Sequence, residues 1–160
     1  MVVSRYSNHD GRYHVGVKMK LRDKIYQTGN TCREGSVKKI EKTWGQELWI
    51  VNDEVNDYCG KILTINPGEG TSLHFHSLKH ETFLVTEGTL DIIIVDTETA
   101  KSELIRLEEY DSYIIERNVP HRLQSVTGCK LLEISTYHRD EDSYRVFNGY
   151  EDYLLLTRNV

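Results

Sequence analysis

Proline is almost missing from this chain. There are two in 160 residues, beside eleven glycines, and they leave no proline-rich linker along the sequence. Cysteine is scarce as well. Cys32, Cys59 and Cys129 are an odd set with no CxxC spacing, which argues against a disulfide framework and for reduced thiols serving as small apolar fillers. No run of lysine or arginine stands out and the formal net charge is -5, so nucleic acid and anionic membrane are not expected partners. Long hydrophobic stretches are absent too. Leu90 to Val95 is strand-sized and far short of a membrane span. The opening MVVSRYSNHD lacks the apolar region of a signal peptide, and the expected location is cytoplasmic.

What remains is an ordinary globular balance, 38% hydrophobic and 28% charged, on a length suited to one domain. Short runs rich in β-branched and aromatic residues recur: ELWIVN (47–52), CGKILTIN (59–66), TSLHFH (71–76), ETFLVT (81–86), TLDIIIVD (89–96) and KLLEIST (130–136). Between them NPGEG, TEG, DTETAKS and VTG read as tight turns. Strands at this spacing predict an all-β sandwich or barrel, and residues 104–118 continue the rhythm with more charge. Before the barrel signals, RYHVGVKMKL alternates like a strand and QTGNTCREGS reads as loop. YEDYLLLTRNV, at the other end, is a helix or a last strand. The expected division is 1–38 as a strand-forming extension, 39–146 as the barrel and 147–160 as a C-terminal segment.

The chemistry concentrates in GEGTSLHFHSLKHETFLVTEG, residues 68–88. His74 and His76 are two apart, so on a strand they share a face and can chelate one ion. After a short turn Glu81 begins the next predicted strand, and a hairpin would set it opposite the two imidazoles. Imidazole and carboxylate together suit divalent first-row ions, with Mn, Fe, Co, Ni and Zn all open. His121, after Pro120, is the candidate fourth ligand. His80 is a rival to Glu81, but it lies in the turn and is assigned outside the site.

These residues resemble the cupin family. Its first motif, G-x5-H-x-H-x(3,4)-E-x6-G, is matched at every fixed position by Gly68, His74, His76, Glu81 and Gly88. Of the second motif, G-x5-P-x-G-x2-H-x3-N, only His121 survives, with Tyr110, Glu116, Asn118 and Ser125 at the other fixed positions. Asn118 retains tolerance for the positive φ of a glycine. The resemblance implies a single-domain jelly-roll (double-stranded β-helix) barrel with the N-terminal strand-like extension appended. It also implies one divalent metal per chain on His74, His76, Glu81 and His121.

A narrower likeness, over about residues 38–146, is to the cupin half of type II mannose-6-phosphate isomerases. It rests on Trp44–Gly45, Ser72 to His76, Glu81, Pro120 to Leu123, and Glu141, Asp142 and Arg145. Those enzymes usually carry Gln at the position of His74. The full histidine set is closer to other sugar-isomerase cupins such as D-lyxose isomerases. The resemblance implies a sugar or sugar-phosphate isomerase or epimerase working through a metal-stabilised enediolate, with a nearby base moving the proton. Glu133 and Lys61 are the candidate catalytic groups. Arg122, Arg145 and His138 are the candidates for binding substrate, the arginines through phosphate. A non-haem iron dioxygenase and a non-catalytic sugar- or metal-binding module are the alternatives. Cupin habit and an open N-terminal sheet edge imply a homodimer.

Overall fold

A computed structural model describes residues 2–7, 13–18 and 37–147. The chain divides into two compact units, Met1–Ser36 and Val37–Val160. In the first, β1 (Val2–Ser7) and β2 (Tyr13–Lys18) pair antiparallel, so the described part of the alternating run RYHVGVKMKL is a strand. The loop expected at 27–36 and the last segment, YEDYLLLTRNV, lie outside the described residues.

The second unit is built of strands, and its one helical turn among the described residues is a 3-10 turn at Asp140–Asp142. The strands are β3 (Lys38–Lys42), β4 (Gly45–Asp53), β5 (Tyr58–Ile65), β6 (Leu73–Phe75), β7 (Glu81–Gly88), β8 (Leu90–Val95), β9 (Ser102–Leu107), β10 (Ser112–Ile115), β11 (His121–Gln124), β12 (Cys129–Ser135) and β13 (Tyr144–Phe147). They form two antiparallel sheets, one ordered β10-β7-β12-β5-β4-β3 and the other β13-β6-β11-β8-β9. Consecutive strands repeatedly cross from one sheet to the other, which is the jelly-roll arrangement.

Period-two alternation explains what fills the barrel. Along β5, β7, β11 and β12 the inward residues are Lys61, Leu63 and Ile65; Glu81, Phe83 and Val85; His121 and Leu123; and Glu133, Leu131 and Cys129. Every row is polar at one end and apolar at the other. At the apolar end Leu63, Ile65, Phe83, Val85, Leu90, Ile92, Leu123 and Leu131 make one closed core. Each such side chain contributes on the order of 1.5–3 kcal/mol by leaving water. Cys59 and Cys129 are buried free thiols, and burial pushes both thiols up, so they are fillers rather than nucleophiles.

The first motif's outer glycines serve the turns. Gly88 has φ 79°, and a Cβ there would lie 2.5 Å from the Gly128 carbonyl oxygen. Where the second motif lost its glycines the backbone kept its shape: Tyr110 has φ 71° and Asn118 φ 63°. For tyrosine this left-handed geometry costs roughly 1–2 kcal/mol.

One expectation fails. TSLHFH and ETFLVT are not a hairpin, because β6 pairs with β11 and β13 while β7 pairs with β10 and β12. The strand also stops at Phe75, and residues 76–80 cross the barrel mouth from one sheet to the other. Glu81 therefore meets the histidines across the barrel interior, not along a shared hairpin.

Candidate metal centre

His74 on β6 lies directly opposite His121 on β11 in the antiparallel register, and their rings are 4.6 Å apart. His76 follows just beyond the end of β6, its ring 5.0 Å from that of His74. One nitrogen from each of the three lies within 4.8 Å of the others. Each Nδ1 sits against a backbone carbonyl: His74 on Ser72 at 2.8 Å, His76 on Asp142 at 2.8 Å and His121 on Val119 at 2.9 Å. A carbonyl only accepts, so Nδ1 carries the proton in all three and the Nε2 lone pairs are left for a ligand.

Glu81 faces two of these nitrogens from the other sheet. Its Oε2 is 3.2 Å from His121 Nε2 and 3.7 Å from His76 Nε2. Glu81 Oε2 and His121 Nε2 are both buried without a hydrogen-bond partner. Two acceptors facing each other in a dry interior repel unless a cation lies between them. Burial pushes His74 down to about 3 and lowers His76, so both rings are neutral at physiological pH. Burial alone would raise the Glu81 carboxyl, but the Lys79 ammonium outweighs it and holds Glu81 ionised, well below the usual carboxylate range. Nitrogen lone pairs plus one carboxylate are the donors a divalent first-row ion takes, so these residues fit the group.

Behind the donor set runs a buried chain of alternating charge. Lys79 Nζ donates to Glu81 Oε1 and to Glu133 Oε1. Lys61 Nζ is 3.7 Å from Glu133 Oε1 and 3.8 Å from Glu47 Oε2, and it sits 4.5 Å from the centre of the Trp49 ring. Trp49 Nε1 donates to Glu47 Oε2 at 2.8 Å, and the Ser135 hydroxyl donates to Glu133 Oε1 at 3.1 Å. Burial would raise Glu133 too, but Lys79 and then Lys61 lower it, so it is ionised. Glu47, Lys61, Lys79 and Glu133 line a cavity of about 460 Å³ that the histidines and Glu81 share.

The remaining sequence candidates separate clearly. Glu133 and Lys61 are buried at 3% and 2% exposure and face the cavity. His138 is half-buried at its wall, edge-on to Trp49 and with Nε2 3.1 Å from Asp140 Oδ1; burial pushes it down to about 4. Arg145, on β13 opposite His74, lines the rim. Arg122 does not reach the cavity, because it alternates with His121 and Leu123 on β11 and projects from the other face, beside Gly70. His80 lies outside the donor set and faces Glu116 Oε2 at 3.3 Å. Lys79 and Glu47 were missed. Lys79 sits in a turn, where lysine reads as solvated, and Glu47 precedes Leu48 and Trp49 in a strand whose inner face the sequence does not mark.

Residues 61–135 match the family model described as the cupin domain. Together with the two-sheet barrel, this defines the fold as a cupin jelly roll. Among solved structures the barrel is similar to an oxalate decarboxylase variant of Bacillus subtilis, with TM-score 0.62 and 15% identity over 78% of this chain and 35% of that one. It is also similar to the capsular polysaccharide assembling protein CapF of Staphylococcus aureus, with TM-score 0.64 and 15% identity over 73% and 33%. A third is an oxalate decarboxylase of Lactobacillus farciminis in its formate complex, at 0.60 and 18% over 78% and 39%. The chain thus spans little more than a third of these proteins, and the likeness is one of fold. No curated protein matches the sequence.

Proposed function

We propose that the protein is a metal-dependent enzyme that moves a proton between adjacent carbons of a small polar substrate, as a sugar or sugar-phosphate isomerase or epimerase does. The observation that carries this is Glu133. It is an ionised, buried carboxylate on the wall of the cavity that the metal donors face, tied to Glu81 through Lys79. His74, His76, Glu81 and His121 would hold the divalent ion, which would supply a Lewis acid for a carbonyl oxygen. Glu133 is in the form that accepts a proton, and the facing cation Lys61 is placed to hold a substrate oxygen while that proton moves. His138 and Arg145 bind the far end of the substrate. Arg145 is the proposed phosphate contact, a role Arg122 cannot share from the opposite face of β11.

The test is proton exchange. Protein reloaded with Mn, Co, Zn, Fe or Ni is incubated with aldoses, ketoses and their phosphates in deuterated water. Metal-dependent deuterium incorporation at carbon is the expected result. A second reading, oxygen-dependent or decarboxylating chemistry at iron or manganese, draws on the same donor set and on the oxalate decarboxylases of similar fold. Oxygen uptake or carbon dioxide release without exchange would favour it. Tight binding with no turnover would favour a non-catalytic module.

A homodimer is part of the proposal. On the outer face of the six-stranded sheet, Leu84, Leu132, Ile62 and Leu48 lie side by side across four strands, with Ile114 and Ile134 beside them at 54% and 58% exposure. An apolar outer row on an antiparallel sheet is the surface a second copy would cover.

A further inference from the structure

We propose that Asp142, which is not among the metal donors, is a positioning residue for them and sets His76 and Lys79 together. This rests on the metal reading above. Two segments cross between the sheets at the barrel mouth, residues 76–80 from β6 to β7 and residues 136–143 from β12 to β13. Asp142 joins them. Its backbone carbonyl accepts the His76 Nδ1 proton at 2.8 Å, fixing the tautomer that turns Nε2 inward. Its carboxylate accepts three consecutive backbone N–H groups. Ser77 N donates to Oδ1 at 3.0 Å, Leu78 N lies 3.1 Å from both oxygens, and Lys79 N donates to Oδ2 at 2.9 Å. The Ser77 hydroxyl adds a fifth contact, to Oδ1 at 2.7 Å.

Asp142 is only 4% exposed, so this carboxylate is a buried anion held in a nest of backbone dipoles. Burial alone would raise it, but the Ser77 hydroxyl and the Lys79, Leu78 and Ser77 amides hold it below its usual range. The clamp's other contacts point the same way: Asn118 N donates to His76 O at 2.7 Å and His80 N to Thr136 Oγ1 at 3.0 Å. A short crossing of five residues must deliver one ligand ring, His76, and one bridging ammonium, Lys79, to opposite sides of Glu81. Asp142 accepts the His76 ring proton and the Ser77, Leu78 and Lys79 amides of this segment from 63 to 66 residues away. A slack clamp would leave the three other candidate donors in place and loosen the His76 ring and the Lys79 bridge.

The test compares Co2+ binding to the wild-type chain and to Asp142→Asn. The amide keeps the size but cannot accept all of these donors. Affinity is read by competition with a chromophoric chelator, geometry by the visible d–d spectrum, and stability by thermal unfolding of the metal-free protein. The expected result is Co2+ binding about 10–100-fold weaker with a shifted spectrum, as for loss of an outer-shell partner. Wild-type affinity and spectrum in Asp142→Asn would overturn the proposal, whatever its melting temperature. If that variant does not fold, Ser77→Ala removes a single donor and is read the same way: a several-fold loss with a spectral shift supports the proposal, and none overturns it. A wild-type chain that takes up no Co2+ would overturn the metal reading itself, a distinct outcome.

Discussion

Lys79→Met should destabilise the metal-free protein by about 3–5 kcal/mol at pH 8, far more than its loss from an exposed turn would cost. The magnitude follows from burial. Lys79 is 3% exposed, and its ammonium is the direct partner of two carboxylates, Glu81 and Glu133, that are themselves 3% exposed. Methionine replaces most of the alkyl stem, so lost packing is minor and the cost is electrostatic. Two negative groups would be left in a dry interior, with only Lys61, 3.7 Å from Glu133, to compensate. The pH dependence identifies the cause. In the wild type both carboxyls are held low, so their stabilisation is present above about pH 4.5 and lost as pH falls through the native values. Without Lys79, burial and mutual repulsion raise one of them, and the native state of the variant gains stability by taking up a proton as pH falls. The gap between the two proteins should therefore be widest near pH 8 and narrow towards pH 5. Urea denaturation across that range measures it. A gap under about 1 kcal/mol at pH 8, or one that does not narrow, would refute the assignment of Lys79 as the buried bridge.

His76→Ala should remove most bound metal by elemental analysis, since the donors act as a set. Because burial pushes His74 down to about 3 and lowers His76, protons should compete with the ion only well below the ordinary histidine value of 6.5, and metal content should hold from pH 8 to about 6. By the same linkage the metal-free protein should lose stability as pH falls from about 6.5 towards 3, where unfolded His74 takes up a proton that the native ring refuses. Glu133→Gln should lower turnover by about 100-fold or more while metal content stays complete, the loss expected for a proton-transfer group. Sedimentation or light scattering should give twice 18.6 kDa, and Ile134→Glu should shift it towards one copy.

The all-β fold was legible because its signals are local. Period-two alternation, tight turns and the spacing of Gly68, His74, His76, Glu81 and Gly88 each need only a short window. Six of the expected runs correspond to β4, β5, β6, β7, β8 and β12. Partnership between strands was not legible. An apolar run ending in a turn looks the same whether the chain reverses within one sheet or crosses to the other, so β6 and β7 were read as a hairpin. Facing was hard to read for the same reason. Glu133 stands among apolar neighbours and Arg122 between His121 and Leu123, yet only a register fixed by β5, β7 and β8 turns one inward and the other out.

The polar end of the barrel explains why the missed residues are a lysine and a glutamate. A metal donor set with one carboxylate needs that carboxylate ionised in a place where burial favours its neutral form. Lys79 answers this for Glu81, but a lone buried ammonium is as costly as the carboxylate it serves. Glu133 shares it, Lys61 follows for Glu133, and Glu47 with Trp49 closes the chain near the rim, where Lys42 reaches Glu47 at 3.3 Å and is itself part-exposed. Each charge is tolerated because the next has the opposite sign, and the series ends where water begins. On the proposed function, Glu133 is then available for proton transfer beside the candidate metal donors because the charge of Glu81 requires partners. Glu133 is held ionised by the same lysine that holds Glu81, so Lys79→Met should disturb metal affinity and proton transfer together, whereas Glu133→Gln should disturb only the second.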